Sequence, residues 1–347
     1  MLLSADLTYI TLVQGQAANK MLMRGFTSLR DVGGPVFGLK RAIDEGVIAG
    51  PRIWPSGAII SQTSGHGDFR SPAHDLPALP GRHAHFTERW GWAAVVDGRP
   101  EMLRAVREQL MKGASQVKLM AGGGVSSFYD PLDVVQYSED EMRAAVEAAE
   151  AWNTYVVAHA YTPEAIQQAI RAGVRSIEHG QLIDDETMEM IADNDVWVGM
   201  QPFLDDEDAI TFPDGSPSRL KFIQMTQGTD KAYELAKKHG VKLAWGTDVQ
   251  FDASLAAKQG KQLAKMTRWF SPYETLKMAT HDNAQLLALS GPRNPYPGKL
   301  GVVEEGALAD LVLVDGDPLK NIQLVVDPDK NFVVIMKDGK IYKNSLE

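Results

Sequence analysis

The 347-residue chain contains no cysteine. Disulfides, thiolate metal sites and a cysteine nucleophile are therefore excluded. It also lacks any apolar run of about 18 residues, the length a membrane-spanning helix needs. No GxGxxG follows a strand-like run and no GxxxxGK[ST] occurs, so the usual phosphate cradles are missing. Positive charge is in deficit. There are 35 Lys and Arg against 45 Asp and Glu, a net charge of −10. A surface of that sign repels phosphate, which argues against nucleic acid as a partner. The opening MLLSADLTYITLVQGQAANK has no basic start, and Asp6 interrupts its apolar stretch, so it does not read as a secretory signal. It fits a helix from Ala5 to Arg24 with one wet side. Repeats and low-complexity tracts are absent. The expected location is cytoplasmic.

What is present is the composition of a globular chain with a sizeable core: 44% hydrophobic and 23% charged residues. Seven β-rich runs recur: Phe26–Asp31, Arg52–Gly57, Gln116–Met120, Thr154–His159, Arg175–His179, Val196–Met200 and Lys242–Asp248. Amphipathic segments with start and stop signals lie between them. Ser138 with Glu141, and Ser271 with Glu274, read as capping boxes. Thr162-Pro163 opens a helix and Gly173 closes it. Such alternation implies βαβ units around a parallel sheet. A (β/α)8 barrel of about 250 residues suits the length. Only seven strands are visible and the first element is a helix, so the first barrel strand is expected to be missing. The barrel is expected over 1–291. From 292 to 347 short strands and turns at Glu305-Gly306, Asp315-Gly316 and Asp338-Gly339 suggest part of a β-sandwich. Ser61 to Arg99 reads as a long loop.

In a parallel barrel, reactive side chains project from the C-terminal ends of strands. Four such ends carry Lys118, His159, His179 and Asp248. Lys118 lies among apolar residues. It is either paired with a carboxylate or held neutral by burial. A neutral amine can add CO2 to form a carbamate, an anionic oxygen donor. Singly, His159 and His179 suit hydrogen-bonded core histidines, and Asp248 suits a helix cap. Together the four form a nitrogen and oxygen donor set for Zn²⁺ or a similar ion, and a hydrolytic metal site becomes the leading reading.

The segments RGFTSLRDVGG, VKLMAGGG, VVAHAYT, SIEHGQLIDDE, WGTD, GALADLVLVDGDPL and VIMKDGKI give the chain a resemblance to the amidohydrolase superfamily. It looks closest to the metallo-carboxypeptidase and prolidase-like branch, which includes ochratoxin-hydrolysing amidases. The resemblance implies a carbamate on Lys118 that bridges two metals, and His159 and His179 as ligands of the second. It implies Asp248 as ligand of the first and general base. By motif, His66 in SQTSGHGD and Tyr161 in HAYT would bind substrate. The family's His-x-His of strand one is not found at its place. The one such pair, His83-Ala84-His85, falls in the long loop and reads as a surface coincidence. His74, His239 and His281 have no evident role.

From these observations the chain is expected to be a metal-dependent hydrolase of N-acyl amino acids or dipeptides. Metal-activated hydroxide would attack the amide. With the pair missing, one metal and reduced activity are expected, and the sequence is read as a fragment of a longer product. Unpaired sheet edges would favour a homo-oligomer. The alternatives are a non-catalytic scaffold and a cyclic-amide or lactone hydrolase. The acidic segment 201–219 reads as a solvated face before it reads as a selector of basic side chains.

Overall fold

A computed structural model of the chain describes residues 5–71, 84–249 and 253–346. The wall of the fold is a parallel sheet. Its strands are β3 (Ile59–Ser61), β4 (Ala93–Val95), β5 (Val117–Met120), β6 (Val156–Ala160), β7 (Ser176–His179), β8 (Trp197–Met200) and β9 (Leu243–Trp245), in the order β4-β3-β5-β6-β7-β8-β9. All residues of β5 to β8 are buried. That fits strands covered on both faces, which read as continuous apolar runs. Outside them lie the capped helices. Ser138 and Glu141 close a reciprocal box ahead of Glu139–Glu150, and Ser271 and Glu274 do so ahead of Pro272–Lys277. Gly173 ends Pro163–Ala172 in the left-handed conformation, at φ 99°. The N-terminal helix spans Leu7–Met23, with Asp6 as its cap.

Two further strands, β1 (Ser28–Asp31) and β2 (Arg52–Pro55), pair only with each other, in parallel. They extend the wall nonetheless. Gln116, just ahead of β5, donates from Nε2 to the carbonyls of Trp54 and Asp31. Between β2 and β3 the chain turns at Gly57, φ 74°, where a Cβ would lie 2.8 Å from the Phe37 ring. Only glycine permits that turn at no steric cost. Between β9 and β1 no strand pairing closes the circle among the described residues. Side chains bridge this seam instead. The rings of Phe26 and Trp245 stack at 6.0 Å. The Asn283 amide accepts from the Trp245 N–H and donates to its carbonyl, both at 2.9 Å. A strand residue points both groups to one side, so this single amide satisfies the free edge there. Inside, Arg30 of β1 pairs with Glu178 of β7 and reaches the Tyr155 hydroxyl at 3.3 Å.

One expectation is corrected. The stretch 61–99 is not all loop: it contains β4 and the short helix Phe86–Arg89. Its alternation was hidden because β3 and β4 have three residues each, too few for a period to show. His85 caps that helix through Thr87. His83 and His74 lie outside the described residues. The C-terminal part is a three-stranded antiparallel sheet, with β10 (Leu311–Val314), β11 (Phe332–Lys337) and β12 (Lys340–Asn344) in sequence order. Asp338 and Gly339, both at positive φ, form its hairpin turn. It docks through buried Arg52, which pairs with Asp310 and Asp338. Leu22, Ala264, Ile322, Val325, Phe332 and Ile335 form the apolar cluster beneath.

Candidate active site

The register of the wall sets the site. Met120 pairs with His159, and Ala160 with His179, so the β6 and β7 histidines stand at neighbouring strand ends. Their rings lie 4.5 Å apart, and Tyr161 packs on both, at 5.0 and 5.1 Å. His66 arrives from the turn after β3 and stacks on His159 at 4.3 Å. The glycine-rich run after β5 explains that approach. A Cβ on Gly124 would sit 2.1 Å from the His66 ring. That run therefore serves close packing and not a phosphate.

Lys118, 3% exposed, lies in the wall beneath these rings. Its ammonium has no hydrogen bond or ion pair to a described residue. Burial pushes its pKa down to about 8, against the charges of Glu178 and Asp248 and with that of Arg30. Burial also lowers His66 to about 3, helped by Lys118 and Lys221, and holds His159 and His179 well below the usual imidazole range. All three imidazoles are thus neutral, the state that binds metals. Burial first, then Asp248 and Asp130, keep the Tyr161 phenol protonated and able to donate. His179 and Asp248 both hold positive φ, 83° and 46°. Left-handed backbone at non-glycine residues stores strain and clusters at functional sites.

Hydrogen bonds select the nitrogen that each wall histidine offers. His159 Nε2 lies 3.1 Å from the Gly123 carbonyl, which can only accept, so Nδ1 keeps the lone pair. His179 Nδ1 lies 2.8 Å from Gln201 Oε1. Gln201 Nε2 donates to the Gly199 carbonyl, which fixes its orientation, so His179 offers Nε2. No three His, Asp or Glu side chains among the described residues are already grouped around one point. The unbonded buried amine of Lys118 beside two bare imidazole nitrogens nevertheless fits a ligand set that includes its carbamate.

Other residues resolve differently. Asp205 is held by both terminal nitrogens of Arg219, Asp206 by Lys265, and Asp208 by Lys258 and Lys261. The acidic 201–219 segment is therefore largely paired. His239 lies 2.9 Å from Asp185, and His281 falls in a π-helical turn. Sequence reasoning missed Gln201, Ser127, Asp130 and Lys221. The only trace of them was the glycine-rich AGGGVSS run beside Lys118.

The model of the Amidohydrolase family matches residues 2–342. Ochratoxinase of Aspergillus niger is 34% identical over 330 residues, 93% of this chain and 66% of that protein. The chain thus spans just under two thirds of the length of the curated relatives it matches first. A prolidase crystallised with N-methylphosphonate-L-proline superposes with a TM-score of 0.88 at 36% identity, covering 99% of this chain and 81% of that one. A Xaa-Pro dipeptidase with methionine in its active site gives 0.83 at 30% identity, covering 98% and 81%. No helix among the described residues is long and apolar enough to cross a membrane.

Proposed function

The chain belongs to the amidohydrolase family, and from that premise we propose that it hydrolyses the amide bond of an N-acyl amino acid or dipeptide with the aid of a divalent metal. The observation that carries this reading is the Lys118 amine, buried without a partner beside the bare nitrogens of His159 and His179. A lysine is almost never buried unpaired for packing alone. Neutral Lys118 Nζ would bond to the carbon of CO2 and release one proton, leaving a carbamate. That carbamate, His159 Nδ1 and His179 Nε2 would hold the ion, with Zn²⁺ the best match to nitrogen and oxygen donors. When bound, the ion supplies Lewis acidity and water of near-neutral pKa.

The protein's own groups then divide the work. A carboxylate oxygen of Asp248 accepts the proton of the attacking water and returns it to the leaving amine. The Tyr161 hydroxyl donates to the developing oxyanion or to the substrate carboxylate. His66, stacked on His159, contacts the substrate from the turn after β3. Relatives named as a prolidase, a Xaa-Pro dipeptidase and an ochratoxinase support a small amide substrate. A homo-oligomer covering the seam is part of the same reading, and sedimentation tests it. The main test is metal analysis with turnover of Xaa-Pro dipeptides and N-acyl amino acids before and after chelation. Bound Zn²⁺ and chelator-sensitive turnover are expected. Specific assembly without metal or turnover would instead support a non-catalytic scaffold. Turnover of a hydantoin or lactone alone would move the substrate class.

A further inference from the structure

Behind His66 lies a chain of buried polar groups that the reaction above does not use. His66 Nδ1 lies 2.8 Å from Ser127 Oγ, and Ser127 Oγ lies 2.7 Å from Asp130 Oδ2. The direct distance from His66 Nδ1 to Asp130 Oδ2 is 3.6 Å, so the hydroxyl mediates. Asp130 Oδ2 also accepts the Gly124 N–H at 2.6 Å, whereas its Oδ1 is buried with no hydrogen bond. The turn itself is clamped from outside. Lys221, on the helix Pro217–Thr226, donates to the carbonyls of Gly124, Ser127 and Asp130 at 2.6, 2.8 and 3.1 Å. Three ammonium protons meet three acceptors.

We infer that Ser127 and Asp130 are positioning residues for His66, linked in a relay that decides which imidazole nitrogen faces the substrate. The inference rests on the reading of His66 as a substrate contact. The serine has one proton, and its neighbours other than His66, Asp130 Oδ2 at 2.7 Å and the Gly124 carbonyl at 3.2 Å, are acceptors only, so that proton goes to them and not to His66. Ser127 Oγ then accepts, His66 Nδ1 carries hydrogen, and Nε2 is the nitrogen left for the pocket. The charge on Asp130 is the informative detail. An asparagine in its place would accept the same two hydrogen bonds and would not bury a charge with one oxygen unbonded, which is costly. What the charge adds falls on Ser127, and through it on His66.

The test has a spectroscopic arm and a kinetic arm. Zn²⁺-supplemented protein labelled with ¹⁵N-histidine, with the His66 signals assigned by their loss in His66→Ala, should show hydrogen on Nδ1. Ser127→Ala should shift the ring toward the Nε2–H form, and Ser127→Thr should restore it. With a Xaa-Pro dipeptide, Ser127→Ala should raise KM about tenfold, as expected for a lost hydrogen bond, Asp130→Asn, which keeps the bond and loses its charge, should raise it less, and both should leave kcat within about twofold. In a His66→Ala background, Ser127→Ala should add nothing, which a merely structural serine would not reproduce. Wild-type His66 protonated on Nε2, or a Ser127→Ala penalty undiminished without His66, overturns the inference. Absence of turnover with every amide substrate defeats the proposed function instead. The tautomer result then decides the relay by itself.

Discussion

The two sides of the barrel hold together by different means. From β5 to β8, backbone ladders join every neighbour in unbroken parallel register. At the seam between β9 and β1, isolated side chains do that work: the Phe26–Trp245 stack, the Asn283 amide, and Arg30 reaching across to Glu178. The site draws on both. Lys118, His159 and His179 stand on the laddered wall, where register sets their spacing. Asp248 follows β9 on the seam side in strained left-handed backbone. A ladder positions many residues at once because its bonds are mutually dependent. A seam of side chains positions each residue separately, and each can be removed separately.

That contrast can be broken or sharpened in four ways. The largest expected effect is on Asp248, the proposed general base beside the seam. Asp248→Asn should lower kcat/KM about 10²–10⁴-fold, as for loss of a general base. A loss under tenfold in steady-state kinetics would remove Asp248 from the reaction. Next comes Arg30→Met, which strands Glu178 as a buried unpaired charge and should cost about 3–5 kcal/mol in urea unfolding. Adding Glu178→Gln should recover most of it, and failure to recover would show that Arg30 acts by packing alone.

Asn283→Ala is smaller. It leaves the Trp245 N–H and carbonyl without their partner and should cost about 1–3 kcal/mol. Amide hydrogen exchange should quicken at Trp245 and stay unchanged at Leu119, within the wall. Equal quickening at both would erase the distinction between seam and wall. The last prediction concerns pH and Asp31, at the end of β1. Burial pushes its carboxyl up to about 7, against a hydrogen bond from the Gly33 N–H. The folded protein therefore holds this proton more tightly than the unfolded chain does. The stability it contributes is full below about pH 4 and is lost as pH rises through about 7. Asp31→Asn cannot ionise, so its advantage should grow from nothing near pH 4 as the pH rises through about 7. An advantage independent of pH would mean that the carboxyl is not desolvated.

Legibility in the sequence followed the range of the interactions. The capping boxes at Ser138 and Ser271, the left-handed Gly173 and the Asp338-Gly339 hairpin turn involve neighbours in the chain, and their residue types announced them. His159 and His179 do stand at the ends of β6 and β7, a short apolar run closing on a polar residue being a local pattern, whereas Lys118 lies inside β5 and Asp248 beyond the end of β9. The three-residue β3 and β4 were too short to show one. The acidic residues 205–208 looked like a bare rim because Lys258, Lys261 and Lys265, which pair with Asp206 and Asp208, lie some fifty residues downstream.

The sequence alone determined the alternation of strands and helices, and its motifs pointed to the family. The alternation follows from periodicity and local hydrogen bonding, which act within a few residues. Only the tertiary structure decided which nitrogen each histidine presents, why position 124 must be glycine, and how the seam is held. Each of these joins distant parts of the chain: Arg30 and Glu178 are 148 residues apart, and His66 and Ser127 are 61 apart. No local pattern encodes such a meeting, because it exists only once the sheet has brought the partners within hydrogen-bond distance.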